Sequence, residues 1–495
     1  MPLNLSNRDQ NSGHLFYNRR LKAAITRFSV RMKHDDRKQQ AAVALGIVFV
    51  LIGIAWMALL NVLKPAGLVG DSSIIGDRET GAVYAKMNGR LYPALNLTSA
   101  RLVTGSSNAP AWVSADEIAK YPTGPMVGIP GIPSDLRISG GTSAWTVCDT
   151  APVRGSSGPP VVTSIAGPLS AGGRAAAMAA DQAVLARHGE DTYVIWGGHR
   201  SLIDAGDRSL TFNLGLDPGA TSPVAMSNAL FDALPATEPL VVPQIPDVGA
   251  PSRWLPGTAV GSVLESRDAG GAVNGFYVLL PQGIQQISGF VADLIRTSQS
   301  QDSPTPQLIS PDRLVDIPDV DILNVDYYPE TTLNFIDTAA NPVTCVGWSK
   351  MSTDRQATVT VLSGRGLPVS PAMDVNIVKL VRDDRAPDSV VADQTLVLPG
   401  AANFVATTSG VVTSDTRESL YWLSPQGVRF GISWDEATLR ALNLNPAGAA
   451  QAPWPIVRTF AAGPAISRDS ALLARDTLPG GGQVALIPDA AQAGG

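Results

Sequence analysis

Charge, cysteine and aromatic residues are all scarce in this chain of 495 residues. Charged residues make up 16% of it and aromatics 6%, against 47 glycines and 38 prolines, which speaks for turns and short strands and against coiled coil or long helices. Two cysteines, Cys148 and Cys345, are too few for a thiolate zinc site. No Gly-Lys pair occurs, which excludes the G-x4-G-K-[ST] loop whose amides cradle phosphates while its lysine reaches the terminal ones. The nearest imitations, SAGGRAAA from Ser170 and SGRGLPVS from Ser363, are Gly-Arg segments, and Gly364 and Gly366 read as turn residues of a core. No G-x-S-x-G elbow appears, so a Ser-His-Asp hydrolase lacks support.

Long hydrophobic runs are absent with one exception. Residues 41–60, AAVALGIVFVLIGIAWMALL, hold no charge and no proline, and at about 1.5 Å per residue such a helix covers the roughly 30 Å core of a bilayer. Its flanks are lopsided. Residues 1–40 carry nine Lys/Arg (Arg8, Arg19, Arg20, Lys22, Arg27, Arg31, Lys33, Arg37, Lys38) against Asp9, Asp35 and Asp36. Of the chain's 37 basic and 43 acidic residues, 28 and 40 therefore follow the run. A positive side stays in the cytoplasm, so the sequence predicts a single-pass inner-membrane anchor with a cytoplasmic N-terminus and an acidic periplasmic domain, a charge that argues against nucleic acid as its partner. Leu63-Lys64-Pro65 follows the run where a signal peptide would need a small-residue cleavage site, so the anchor is expected to stay attached. Between Tyr17 and Met32, apolar residues recur among basic ones as in a short amphipathic helix, which could lie on anionic lipid or dock on a cytoplasmic partner.

Beyond the anchor, four segments pair an aromatic-led strand with a glycine turn and a second apolar strand. They are VYAKMNGRLYPALNL from Val83, TYVIWGGHRSLID from Thr192, FYVLLPQGIQQIS from Phe276 and LYWLSPQGVRFGI from Leu420. Downstream of Tyr84, Tyr193, Tyr277 and Tyr421, a serine opens a short capped helix that ends at a proline: SADEIAKYP from Ser114, SNALFDALP from Ser227, SPDRLVDIP from Ser310 and SALLARDTLP from Ser470. Ser114 with Glu117 forms a capping-box pattern, and Pro311 suits the first helical position. From tyrosine to serine the distances are 30, 34, 33 and 49 residues, which predicts an insertion near residues 444–454 of the last unit. Units this small must pack against something shared. Residues 125–165 and 321–372 fall outside the pattern and hold one cysteine each, and in an oxidising compartment a bond between them would pin a central domain.

The fold expected is α+β: a basic cytosolic segment (1–40), a transmembrane helix (41–63) and a β-rich periplasmic domain. That domain divides into a first repeat (76–124), a first core segment (125–165), a second repeat (166–240), a third repeat (255–320), a second core segment (321–372) and a fourth repeat (373–480), followed by a disordered tail (481–495). Other constellations carry little chemistry. His188 and His199 read as solvated, and Asp316, Asp319, Asp321 and Asp326 read as a solvated loop because the EF-hand order is missing. The four tyrosines read as core, with contact to peptidoglycan as an alternative. No catalytic, cofactor or metal residues are identified.

These residues resemble the EccB family, membrane-core components of type VII (ESX) secretion systems of mycobacteria. The resemblance spans nearly the whole chain and includes DRETGAVYAKMNGRLYPALNLTSARLVTG from Asp77, VGIPGIP from Val127, AWTVCD from Ala144, ALFDALP from Ala229, TVLSGRGLPVSP from Thr360 and SRDSALLARDTLP from Ser467. It implies a periplasmic domain of four repeats around a β core with a disulfide, here Cys148 with Cys345. It further implies homo-oligomerisation and assembly with EccC, EccD, EccE and the mycosin protease, and it leans to the second ESX system. Members are often labelled ATPases, yet no nucleotide-binding residues are recognisable here. The function expected is structural, with ATP hydrolysis as the alternative.

Overall fold

The computed structural model describes residues 8–28, 33–63, 67–152, 158–170, 173–217, 219, 221–298, 305–381 and 389–477. A first helix, Arg8–Arg27, begins nine residues before the expected Tyr17, and ends where Phe28 takes a positive φ of 49°. The expected continuation to Met32 lies outside the described residues. The second helix, Lys33–Leu63, contains the apolar stretch Gln40–Leu59, none of which is buried against protein. The tail at 481–495 also lies outside the described residues.

All four expected hairpins form. In the first, Val83–Met87 turns into Arg90–Ala94 through Asn88 and Gly89, both at positive φ (49° and 76°), the two-residue geometry that matches strand twist. In the second, Asp191–Trp196 turns into His199–Ile203 through Gly197 and Gly198. Each hairpin gains a preceding strand not named from the sequence: Ile74–Asp77, Gln182–His188, Val263–Arg267 and Phe404–Thr408. On the far side of each such strand runs a short parallel one: Ala111–Val113, Val224–Ala225, Gln307–Ile309 and Ala450–Pro453. Four small sheets therefore share one path, three antiparallel strands and a fourth returning parallel to the first.

Two helices lie on this path in every unit. Between the third and fourth strands come Leu97–Thr104, Arg208–Leu214, Gly289–Ser298 and Glu436–Leu442. Asn96, Asp207, Ser288 and Asp435 accept bonds from first-turn amides of these helices. After the fourth strand come Ala115–Ile118, Asn228–Ala233, Pro311–Val315 and Trp454–Val457. Three of these occupy the expected serine-to-proline segments, but only Ser227 caps with its side chain, accepting from the Leu230 amide at 3.1 Å. The Ser114 capping box does not form, because Glu117 instead pairs with Lys120.

The fourth unit corrects the sequence reading. Residues 444–454 are no insertion but contain its own parallel strand, Ala450–Pro453, followed by its helix Trp454–Val457. The helix expected at Ser470 starts earlier, with Ser467 as its cap, and packs on Leu97–Thr104 of the first unit. Arg475 and Ala474 then extend the first unit's sheet through Met126 and Val127. A shared Ser-to-Pro spacing misled because the segment belongs to a different unit.

The units pack in pairs through their longer helices, Leu97–Thr104 on Glu436–Leu442 and Arg208–Leu214 on Gly289–Ser298. Beneath the junction of the two pairs lies a seven-stranded sheet in the order Val378–Lys379, Gln394–Val397, Val161–Ala166, Ser143–Thr150, Val343–Lys350, Thr358–Gly364, Ala175–Ala177. It draws strands from beyond the expected core limits, at 175–177, 378–379 and 394–397, while 126–127 and 334–335 join neighbouring sheets. Such short strands carry too little periodicity to be placed from sequence.

Cys148 and Cys345 face each other directly across the two central strands and are disulfide-bonded. The bond links residues 197 apart in sequence, both fully buried among Ile165, Val343, Leu362 and Leu396. The opposite face presents Trp145, Val147, Val346 and Trp348 to the second and fourth units. Replacing both cysteines with alanine is expected to lower unfolding stability by about 2–5 kcal/mol. Thermal unfolding of the full chain in detergent checks this, with the difference from wild type vanishing when both are unfolded under reducing conditions.

Candidate functional site

The second and fourth units meet over the Trp145 and Trp348 face of the central sheet, and each presents an arginine against a tyrosine and a second aromatic ring there. In the second, the Arg200 guanidinium lies 3.7 Å from the Phe231 ring and 5.7 Å from Tyr193, and its Nε donates to the Phe231 carbonyl at 2.9 Å. In the fourth, Arg429 lies 5.1 Å from Trp454 and 5.6 Å from Tyr421, and its Nε donates to the Phe460 carbonyl at 3.0 Å. Both arginines stand two residues after the turn glycine, Gly198 and Gly427, so the hairpin sets their position. Burial lowers the pKa of each guanidinium without discharging it. A cation held against aromatic faces, with a carbonyl to accept, ties each hairpin to its own short helix. Asp232 of one such helix and Arg458 at the end of the other form an ion pair across the junction. A mostly apolar cavity of about 230 Å³ opens beside it, lined by Pro235, Trp348, Val412, Pro453 and Pro455 among others.

Beneath the second unit, the Asp149 carboxylate is buried in the central sheet and accepts from the Ser227 amide at 2.7 Å and the Ser227 hydroxyl at 2.6 Å. It thus holds the cap of helix Asn228–Ala233, the helix that carries Phe231 and Asp232. Burial pushes Asp149 up to about 7, the Ser227 bonds oppose the rise, and Asp393 nearby adds to it. Sequence reasoning missed Asp149; its one signal was an acid in an otherwise apolar strand, WTVCD.

The segments weighed for other chemistry are placed as follows. The two Gly-Arg segments lie against each other: Ala175–Ala177 pairs with Leu362–Gly364, and the Arg365 amide donates to the Arg174 carbonyl at 2.7 Å. Arg174 reaches Asp374 with two bonds of 2.8 and 2.7 Å. Gly364 is a strand residue and not a turn residue, and its lack of a side chain serves this close approach, since a Cβ there would sit 2.1 Å from the Arg174 carbonyl oxygen. His188 and His199 are half-buried, each packed on an aromatic ring. His188 stacks on Phe231 at 3.8 Å and hydrogen-bonds Asn228, and His199 lies edge-on to Trp196 at 4.3 Å, burial lowering its pKa. Asp316, Asp319, Asp321 and Asp326 are exposed, and no metal-holding group of acids, histidines or cysteines occurs among the described residues. Tyr193 is buried, and Tyr84, Tyr277 and Tyr421 are half-buried against core clusters, so the four serve packing.

Gly364→Ala is expected to destabilise by about 1–3 kcal/mol, whereas Gly173→Ala, whose Cβ would meet nothing within 4 Å, leaves the melting temperature unchanged. Asp149 binds its proton more tightly in the native state than an unfolded carboxyl near 3.8 does, so its stabilisation is present at low pH and lost as pH rises from about 4 to about 7. Asp149→Asn, which keeps an acceptor for the Ser227 amide, is expected to flatten that fall, of order 4 kcal/mol, in denaturant titrations between pH 4 and 8.

The family described as "Type VII secretion system ESX-1, transport TM domain B" matches residues 3–480. The chain is 64% identical over 495 residues, the whole of both chains, to the ESX-2 secretion system ATPase EccB2 of Mycobacterium tuberculosis. It is 39% identical over 488 residues to the ESX-5 secretion system ATPase EccB5 of Mycobacterium marinum, covering 96% of this chain and 95% of that one. Its fold matches a chain in the structure of an intact ESX-5 inner membrane complex with a TM-score of 0.75 and 36% identity, over 98% and 99% of the two chains. A second match is the EccB3 dimer from the ESX-3 core complex, with a TM-score of 0.70 and 35% identity over 81% of this chain and all of that one. A family match over residues 3–480, with 64% identity to an EccB relative over the whole of both chains, shows that this chain belongs to the EccB family of type VII secretion components.

Proposed function

We infer that this chain is a structural, membrane-anchored subunit of a type VII protein secretion complex. One observation carries the reading: 98% of the chain follows the fold of a chain found within an intact ESX-5 inner membrane complex. The nine basic residues before the span and the acidic excess after it favour a cytoplasmic N-terminus and a periplasmic domain. The common path of the four small sheets, with two helices at the same points, supports reading them as four copies of one repeat arranged around a disulfide-pinned core. The partners proposed are EccC, EccD, EccE and the mycosin protease of the same system, membrane lipid around the anchor, and further copies of this chain joined through the periplasmic domain. The EccB3 relative, a dimer in the ESX-3 core complex, supports the last of these. The 64% identity to the ESX-2 relative supports service in the second ESX system.

The alternative reading is enzymatic, because the curated relatives carry the name ATPase. Against it stands the contact between the two glycine-rich segments, which turns the close approach of their backbones toward each other. A cytoplasmic motor among the partners is the proposed energy source.

Gentle detergent extraction of a tagged chain from its native membrane is expected to yield a very large complex that includes a cytoplasmic ATPase. Recovery as a lone chain or small oligomer, with the partners expressed, would overturn the structural reading. In the purified chain, titration with a fluorescent ATP analogue is expected to give no saturable binding; saturable binding lost on a point substitution would establish the alternative.

A further inference from the structure

The chain that leaves the membrane is fastened to the first unit almost at once. The span's helix ends at Leu63, and Val69, six residues later, is fully buried with Ile75, Leu91 and Val113. Its amide donates to the Glu117 carboxylate, and the next carbonyl, that of Gly70, accepts from Lys86 Nζ at 2.7 Å. Six residues reach at most about 20 Å, so whatever packs with Val69 stands within about that distance of the helix end. Strand Ala111–Val113 is part of that packing and forms the open edge of its sheet, hydrogen-bonded to Ile74–Asp77 on one side only.

Trp112 sits on this edge and is 45% exposed, and Leu68, next to the buried Val69, is 53% exposed. The indole lies flat over Gly76, where a Cβ would come within 2.5 Å of the ring, so it is held in place and not free to fold inward. One exposed basic residue neighbours the strand: the Arg78 amide donates to the Val113 carbonyl at 3.1 Å. Residues 67–124 hold five basic residues (Arg78, Lys86, Arg90, Arg101, Lys120) and five acidic ones (Asp71, Asp77, Glu79, Asp116, Glu117), so the acidity of the exported domain lies in the other units. Anionic headgroups would repel those units but not this one.

We propose that the first unit rests on the outer headgroup layer and seats Trp112 in it, giving the periplasmic domain a second, interfacial attachment beside its transmembrane helix. The proposal rests on the anchor reading of residues 41–60. An exposed amphipathic ring on an open strand edge is the kind of side chain that bilayer interfaces select, and a fixed ring enters the interface without first being ordered. The occupant is lipid and not a second copy of the chain, because the tether of six residues brings the surface to the bilayer whatever the oligomeric state.

The test uses the full chain reconstituted in phosphatidylcholine and phosphatidylglycerol vesicles whose phosphatidylcholine carries bromine high in the acyl chains. Wild type is compared with Trp112→Phe, which keeps a ring over Gly76, and with Trp434→Phe, an exposed tryptophan of the fourth unit. The bromine-sensitive share of tryptophan emission is expected to fall about twofold in Trp112→Phe, since Trp56 of the span and Trp112 are the two at bilayer depth, and to stay unchanged in Trp434→Phe. An unchanged share in Trp112→Phe overturns the proposal, including the case where acrylamide shows Trp112 shielded by protein instead. Trp56→Phe separates the two readings: if it too leaves the share unchanged, the anchor itself fails.

Discussion

Everything else in this molecule is built on the pairing of Ser143–Thr150 with Val343–Lys350. These strands lie almost two hundred residues apart in sequence, so closing that loop costs chain entropy before any contact offsets it. Their register places Cys148 opposite Cys345 on one face and Trp145 opposite Trp348 on the other. A shift of one residue would place Cys148 and Cys345 on opposite faces and turn one of the two tryptophans away from the packed units. The bond thus fixes a register on which both faces of the sheet rely.

From that sheet the molecule builds outward in pairs. The second and fourth units rest on the tryptophan face and meet through the Asp232 and Arg458 ion pair, and the third and first units attach to them by helix-to-helix packing. The order in space, third, second, fourth, first, differs from the order in sequence. Such an arrangement leaves the first unit at one end, beside the membrane tether, and the third at the other. The closing helix Arg468–Ala471 and the strand Ala474–Arg475 return to the first unit, so the beginning and the end of the multi-sheet domain are fastened together.

The junction between the second and fourth units was only half legible beforehand. The arginines that bind each hairpin to its short helix follow the turn glycines by two residues, a spacing visible in the sequence, yet nothing local says that Phe231 and Trp454 will be their partners. The one sign Asp149 gave was ambiguous, because a single acid near the end of a strand reads equally as a solvated terminus. The helices Leu97–Thr104, Arg208–Leu214, Gly289–Ser298 and Glu436–Leu442 were missed although three carry the local signs of a helix, a capping Asn or Asp and a left-handed Gly105, Gly215 or Asn443 at the end.

The membrane span, the four hairpins and the family could be read from the residues alone, because each rests on local chemistry: an uncharged run of bilayer length, Asn-Gly, Gly-Gly or Pro-Gln-Gly turns with apolar flanks, and distinctive short segments. Which strand joins which sheet was settled by packing. The segment at 444–454 became a strand and helix of the fourth unit, Ala474 crossed to the first, and residues 175–177 and 394–397 entered the central sheet. Strands of two to four residues carry no periodicity of their own, and their place is set by the open backbone edge beside them, a property of the assembled fold.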